Sequence, residues 1–440
     1  MPDLNGALRR LAEFVTNLDF ATEPPPAFIS SEPFVMLSKD DATLFIRGED
    51  SDNYGECVRG IFDAVSKREI ISRDSVERLV NDLIVTLARV KRENPREFDT
   101  QLTNELRALR NALQSEPTQW EFYVPVIGFA PSELPFTVGK VEFYQADGSG
   151  TQEYWRRACE LNSAYEGRRP EEHILADFPA QFGNRTIGRV RVSAVDLSAA
   201  HNRAMKAMRR TLDCINFFAD RDKGLALHVK GDVEQGQLLA AAIQLSHPAR
   251  PTGRITRIAP WRGLPIRQIS RRPGFGRMSE LLEKKTLTKL EDRILKALQW
   301  AGRARVELRT EESFLLFAVA LETLLLKDSG NPVDLLYQLK LRAAHLVTGL
   351  DFDSRKLTVK QIGQLYNTRS KIVHTGKFDV TDSDLYLIDE YTRIGLFIVL
   401  VREPFCSMTA EEDFEAWFEA RLLGQAQTPD EASDATAAPG

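Results

Sequence analysis

Arg369 and His374 are the residues of this 440-residue chain whose types and spacing point to a reaction. They stand in Leu365-Tyr366-Asn367-Thr368-Arg369-Ser370-Lys371-Ile372-Val373-His374-Thr375-Gly376, separated by four residues. A guanidinium presents a planar fork of donors that fits a phosphate, and an imidazole exchanges a proton near neutral pH. Together they are the parts for cutting a phosphodiester without a metal. Arg369 would hold the non-bridging oxygens, His374 would carry the proton, and Ser370 would donate a further hydrogen bond or cap the local backbone.

Spacing alone says little. The chain has 41 arginines and six histidines, and the same spacing recurs at Arg168 and His173, in a polar stretch that reads as a surface turn. Context separates the two. With Ile362 at zero on a ~100° wheel, Tyr366 falls near ~40°, Val373 near ~20° and Arg369 near about −20°. Arg369 is thus expected inside an apolar stripe, where a charge must be paired or face a cleft or a partner. Glu322, between Leu321 and Thr323 in a mainly apolar run, is the expected carboxylate. A core arginine paired with that glutamate, beside a surface histidine, is the purely structural reading of the same residues.

Five helices are expected to position these groups. The first runs from Lys289 to about Val306. The second, Thr310 to Lys327, is apolar nearly all round and should be central. Asn331-Pro332 opens the third, which runs to Val347. Thr358 with Gln361 reads as a capping box for the fourth, and Gly376 as its stop. Thr381-Asp382 opens the fifth, which Pro404 closes. These make an all-α bundle over 288–405.

Upstream, 1–118 reads as a mainly helical region, with Val76, Leu79, Val80, Leu83, Ile84 and Leu87 at helical spacing. Residues 119–248 read as an α+β domain, with strands at Trp120 to Phe129, Phe136 to Tyr144 and Thr186 to Val195. The stretch 249–287 is rich in Pro, Gly and Arg and is expected to be a linker. Between Arg250 and Leu290, eight Arg and three Lys face two Glu, a local excess of nine positive charges in a chain of net charge −5. Such a strip suits a phosphate backbone, so Arg271, Arg272 and Lys371 are carried as RNA-contact candidates. Residues 406–423 read as a C-terminal extension, and the polar, Ala-rich 424–440 as a disordered tail. The fold class is α+β: a helical and mixed N-terminal region, then the bundle.

The run Phe317 to Leu325 (FAVALETLL), Leu341-Arg342-Ala343-Ala344, and the LYNTRSKIVHTG stretch resemble the ApeA-like branch of the HEPN superfamily. The likeness covers about Thr288 to Phe405, with Thr375 standing as an extra residue before Gly376. It implies a HEPN bundle whose R-x4-6-H motif, here Arg369 and His374, is catalytic. It also implies a homodimer joined through the bundle and a role in antiphage defence, as an abortive-infection ribonuclease. The same family contains non-catalytic nucleotide- or partner-binding sensors and scaffolds, which is the alternative function.

Composition bounds the rest. The cysteines Cys57, Cys159, Cys214 and Cys406 and the six histidines are scattered, so neither a metal nor another cofactor is expected. The N-terminus lacks the pattern of a signal peptide and no window reaches ~20 apolar residues, so the expected setting is cytoplasmic, with no membrane partner. No GxxxxGK[ST], GxGxxG or GxSxG stretch occurs, which leaves nucleotide hydrolysis and serine-hydrolase chemistry unsupported. The expected partners are RNA, a second copy of the chain, and a phage-derived trigger at the N-terminal half.

Overall fold

The computed structural model describes residues 3–18, 34–39, 42–65, 70–146, 185–219, 226–229, 238–243, 251–256, 263–326, 335–348, 351–375 and 380–423. The chain is mixed α+β with a helical C-terminal half, and it divides into two compact units. One comprises 1–122 and 191–206, the other 123–190 and 207–440. The second Arg/His match (168 and 173), the Asn331-Pro332 cap, Gly376 and the 424–440 tail lie outside the described residues.

In the first unit, α1 (Leu4–Asn17) is capped by Asp3, which accepts from the Asn5 amide at 3.2 Å. It buries Ala7, Leu8, Leu11 and Val15 at the three- and four-residue steps of a helix face. A hairpin of β1 (Phe34–Lys39) and β2 (Ala42–Arg47) follows, with Leu37 opposite Leu44 and Val35 opposite Ile46. The hairpin adds a strand pair to a region expected, and found, to be mainly helical. Leu37, Leu44 and Ile46 are buried while Met36 points out, the period of two that only a strand provides. The helices α2 (Glu49–Val65), α3 (Arg73–Glu93) and α4 (Phe98–Leu113) complete the core.

Asp196 ties this unit together. Its carboxylate accepts from the Ser72 amide (2.8 Å) and hydroxyl (2.9 Å) where α3 starts, and from the Ala199 amide (2.8 Å). That last donor lies in the first turn of α5 (Leu197–Phe218). Burial by itself would raise this carboxyl, but the hydrogen bonds from Ala199 and Ser72 prevail and hold it below the usual range.

A five-stranded sheet has the order β4-β5-β6-β3-β7, from β3 (Thr118–Ile127), β4 (Phe136–Val138), β5 (Val141–Ala146), β6 (Arg185–Ala194) and β7 (His228–Val229). The segment expected as one strand, Phe136 to Tyr144, is a hairpin that turns at Gly139, whose φ is +54°. A separate hairpin pairs β8 (Leu238–Ile243) with β9 (Pro251–Thr256).

Residues 263–283, expected within a linker, are folded. Leu264 donates to the Gly128 carbonyl at 2.6 Å, and its own carbonyl accepts from Ala130 at 3.2 Å. A Cβ at Gly263 would lie 2.1 Å from the Ala130 nitrogen, so only glycine allows this approach. Two helices follow, α6 (Ile266–Ile269) and α7 (Phe275–Glu283). They bury Ile266, Ile269, Phe275, Met278 and Leu281, an apolar period that the Pro/Gly/Arg content obscures.

The remaining helices are α8 (Lys289–Val306), α9 (Thr310–Leu325), α10 (Leu335–Val347), α11 (Phe352–Thr375), α12 (Asp382–Val401) and α13 (Glu411–Leu422). Thr288 and Thr381 cap α8 and α12 through capping boxes with Glu291 and Asp384. Helix α11 starts earlier than expected: Asp351 accepts from the Ser354 amide at 2.8 Å, and Phe352 is already helical. Thr358 and Gln361, read as its capping box, lie inside it. Thr358 is buried, and Gln361 accepts a hydrogen bond from the Tyr391 hydroxyl on α12. Hydroxyl and amide side chains serve helix contacts as readily as caps, and sequence does not separate the two uses. The 406–423 extension contains α13, whose Phe414 and Phe418 are fully buried.

Candidate functional site

Helix α9 is the centre of the site. It buries Phe314, Phe317, Leu321, Leu324 and Leu325, which leaves Glu322 as the carboxylate of its last turn. The final carbonyls of a helix have no partner within it. Here two arginines supply them. The Arg293 Nε of α8 donates to Thr323 O (3.1 Å) and Leu324 O (3.0 Å), and the Arg342 Nη1 of α10 donates to Leu325 O (2.8 Å). Positive charge at this end also complements the helix dipole.

Both arginines are held in turn by α13. Glu415 takes a fork from Arg342, Nη1 at 3.0 Å and Nη2 at 2.5 Å, and Arg293 Nη1 lies 3.3 Å from it. Glu411 adds a contact to Arg293 at 3.1 Å. The guanidinium planes rest on aromatic rings, Arg293 on Phe414 at 5.3 Å and Arg342 on Phe418 at 5.2 Å. Burial would raise the Glu415 carboxyl, but Arg342 and Arg293 outweigh it and hold it below the usual range. Sequence reading missed this clamp. Its one local signal was Arg342 standing among the apolar positions of α10, the same signal that singled out Arg369.

On the other side of the same turn, Glu322 faces Arg369 of α11. The contacts are long: Nη2 to Oε2 at 3.5 Å, and Nε to Oε1 at 3.4 Å without hydrogen-bond alignment. The side chains are 26% and 21% exposed, so solvent reaches both. Tyr366 lies beneath the guanidinium at 6.0 Å. Burial raises the Glu322 carboxyl above the usual range, and Arg369 only partly offsets this. A weakly held arginine beside a desolvated glutamate is a cation that another anion can claim.

Ala318, Leu321, Glu322, Leu339, Ile362 and Leu365 line a recess here together with Tyr366, Arg369 and Ile388, drawn from α9, α10, α11 and α12. It encloses about 10 Å³, room for at most one water. His374 is exposed in the last turn of α11, and Ser370 is half-buried one residue beyond Arg369. The apolar stripe through Ile362 runs out before that end, since Val373 is 52% exposed. Lys371 is exposed on α11, and Arg271 is exposed between α6 and α7. Arg272 is half-buried and donates to the Phe218 carbonyl at the end of α5. Neither Arg271 nor Arg272 lines the recess. His345 of α10 is half-buried; burial, Arg355 and Arg421 push it down toward the neutral form.

The fold and site define a mixed α+β protein whose helical half carries an arginine–glutamate recess at the end of its central helix. No family model, curated protein or solved structure matches the chain. Among the described residues, no group of three or more His, Cys, Asp or Glu could hold a metal ion. Among them, too, no helix is long and apolar enough to cross a membrane.

Proposed function

We propose that the C-terminal bundle is a HEPN-type, metal-independent endoribonuclease, acting as an abortive-infection effector against phage. The observation that carries this reading is the loose hold on Arg369: two contacts of 3.4 and 3.5 Å to a glutamate, at a solvent-reached edge, on the helix whose last turn carries His374. The recess has no room for a base. That favours a polymer crossing the surface over a mononucleotide held inside, and so favours the nuclease over a nucleotide-binding sensor.

The reaction is a transesterification. The 2′-hydroxyl of one nucleotide attacks its 3′-phosphate, forming the P–O2′ bond while the P–O5′ bond breaks. One imidazole takes the 2′-hydroxyl proton and a second gives a proton to the leaving 5′-oxygen. The products are a 2′,3′-cyclic phosphate and a 5′-hydroxyl. Arg369 stabilises the charge that grows on the non-bridging oxygens, Ser370 adds a donor, and Glu322 orients Arg369 until the phosphate takes its place. One chain supplies one His374, so a second copy meeting it at this end of the bundle supplies the other. Val373 (52% exposed) and Tyr386 (49%) are apolar surface suited to that seam.

Purified protein incubated with RNA, followed by analysis of the product ends, tests the reading. Wild type is expected to leave cyclic phosphates and to spare DNA, and Arg369→Ala and His374→Ala are each expected to lose cleavage by at least 100-fold (a factor typical of losing a proton carrier or an oxyanion donor). Equal cleavage by His374→Ala sinks it.

A further inference from the structure

Helix α11 carries its lysines in one row. With Lys356 at zero, Lys360 lies near ~40°, Asn367 near ~20°, Lys371 near ~60° and His374 near ~0°. All five are exposed, and the row from Lys356 to His374 is ~27 Å long. Asp353 is the one acidic side chain on this row, at its start, about 60° round. Arg369 faces the recess, about 140° round the helix from His374, so the strand has to round the end of α11 for one phosphate to meet both groups.

Gly363 falls in the same row, near about −20°. A glycine inside a helix is destabilising relative to alanine, so its presence has to be explained by what it permits. It permits Lys340 of α10 to lie across it. A Cβ at Gly363 would stand 2.7 Å from Lys340 Cε and 3.1 Å from its Nζ. The glycine thus sets a fourth ammonium into the row, between Lys360 and Lys371 and nearer Lys360. Helices α10 and α11 are joined by the short 348–351 connection, and Lys340 meets Gly363, so they run antiparallel. Tyr337, one turn before Lys340, therefore stands level with the turn around Asn367, and it is 65% exposed.

We propose that this face of α10 and α11 is a track for the backbone of a single-stranded nucleic acid. Lys356, Lys360, Lys340 and Lys371 hold successive phosphates, Tyr337 offers a ring for a base to stack on, and the strand is led to His374. The track rests on the nuclease reading for its direction, since the row ends at the proposed proton carrier. Neutralising phosphates releases counterions, so each lysine engaged adds about 0.7 to the salt dependence of single-strand binding.

The test uses the full chain and two probes of the same sequence: an RNA oligonucleotide, and its 2′-deoxy counterpart, which the proposed chemistry cannot cut. Binding of the deoxy strand is measured against salt for wild type, the combined Lys356→Gln, Lys360→Gln and Lys371→Gln variant, and Gly363→Ala. The combined variant is expected to bind at least 10-fold more weakly and to lose about 2 from the salt slope. Gly363→Ala is expected to melt no lower than wild type yet bind several-fold more weakly, because its methyl moves only the flexible end of Lys340. Unchanged affinity and slope in the combined variant overturn the track, as does a wild type that binds neither strand. A wild type that binds through the lysines but leaves RNA whole keeps the track and removes the nuclease. One that cuts RNA, with the combined variant binding and cutting equally, keeps the nuclease and removes the track.

Discussion

Two arginine–glutamate contacts flank the last turn of α9, and they are built to opposite standards. Arg342 and Glu415 meet fork to fork at 3.0 and 2.5 Å, over an aromatic ring, and Nη1 also donates to a helix carbonyl. Arg369 and Glu322 stand 3.4–3.5 Å apart at an open edge. The first is short and aligned and holds Glu415 well ionised; the second leaves Arg369 Nε unmatched and Glu322 reluctant to ionise. A protein needs the first arrangement to stand still and the second to exchange partners. The tight pair caps the turn on which the loose pair sits, so the rigid contact supports the adaptable one.

The largest effect is expected from breaking the tight pair. Glu415→Ala leaves Arg293 and Arg342 without their shared counter-charge and should lower stability by ~3–5 kcal/mol, read by calorimetry. A loss below ~1 kcal/mol, the range of a surface ion pair, would erase the contrast.

Titration should split the pairs by sign. The folded-state value of Glu415 is lowered. Its contribution to stability is therefore present above the unfolded carboxylate range near ~4.3 and is lost as pH falls through the folded value. That of Glu322 is raised, so its contribution is present below the unfolded range and is lost as pH rises through the folded value. Carboxyl-carbon NMR of labelled glutamate should place the Glu322 midpoint above and the Glu415 midpoint below the ordinary value. Two coincident midpoints would remove the distinction.

Arg369→Ala should be milder for the fold. The pair is partly solvated, and the loss is expected to stay near ~1 kcal/mol, while any RNA cleavage falls to background. A variant that melts like Glu415→Ala would make Arg369 a structural residue instead. The smallest effect is expected from Glu322→Gln, which removes a desolvated charge and keeps the shape. Its melting should stay within ~0.5 kcal/mol of wild type, the range of a substitution that breaks no network. Phosphate competes less with a neutral amide, so affinity for an RNA strand should rise in this variant. A fall in affinity would show that Glu322 serves only to orient Arg369.

Much of this molecule is legible in its residues, and the limits are physical. The helices α8, α9 and α12 follow from apolar spacing and from caps such as Thr381, because these signals span only a few residues. Arg369 stands out for the same local reason: it shares a stripe with Ile362 and Tyr366. The hairpin at Phe34–Arg47 and the helices at 266–283 were obscured, since short strands and short helices are recognised by what buries them. Helix α13 shows only three aromatic residues among acidic ones, too narrow a pattern to predict its burial.

Apolar spacing and caps specify helices such as α8, α9 and α12 and set Arg369 on an apolar stripe, since both depend on neighbours within a turn or two. Nothing in the spacing separates Arg342 from Arg369, since each stands beside apolar helix positions. Packing separates them. Arg342 meets Glu415 from 73 residues away on a helix docked by Phe414 and Phe418, and Arg369 meets Glu322 from 47 residues away at an edge left open. An ion pair's strength is set by the distance, alignment and solvent that packing imposes, and none of these is written in the spacing of residues along a chain.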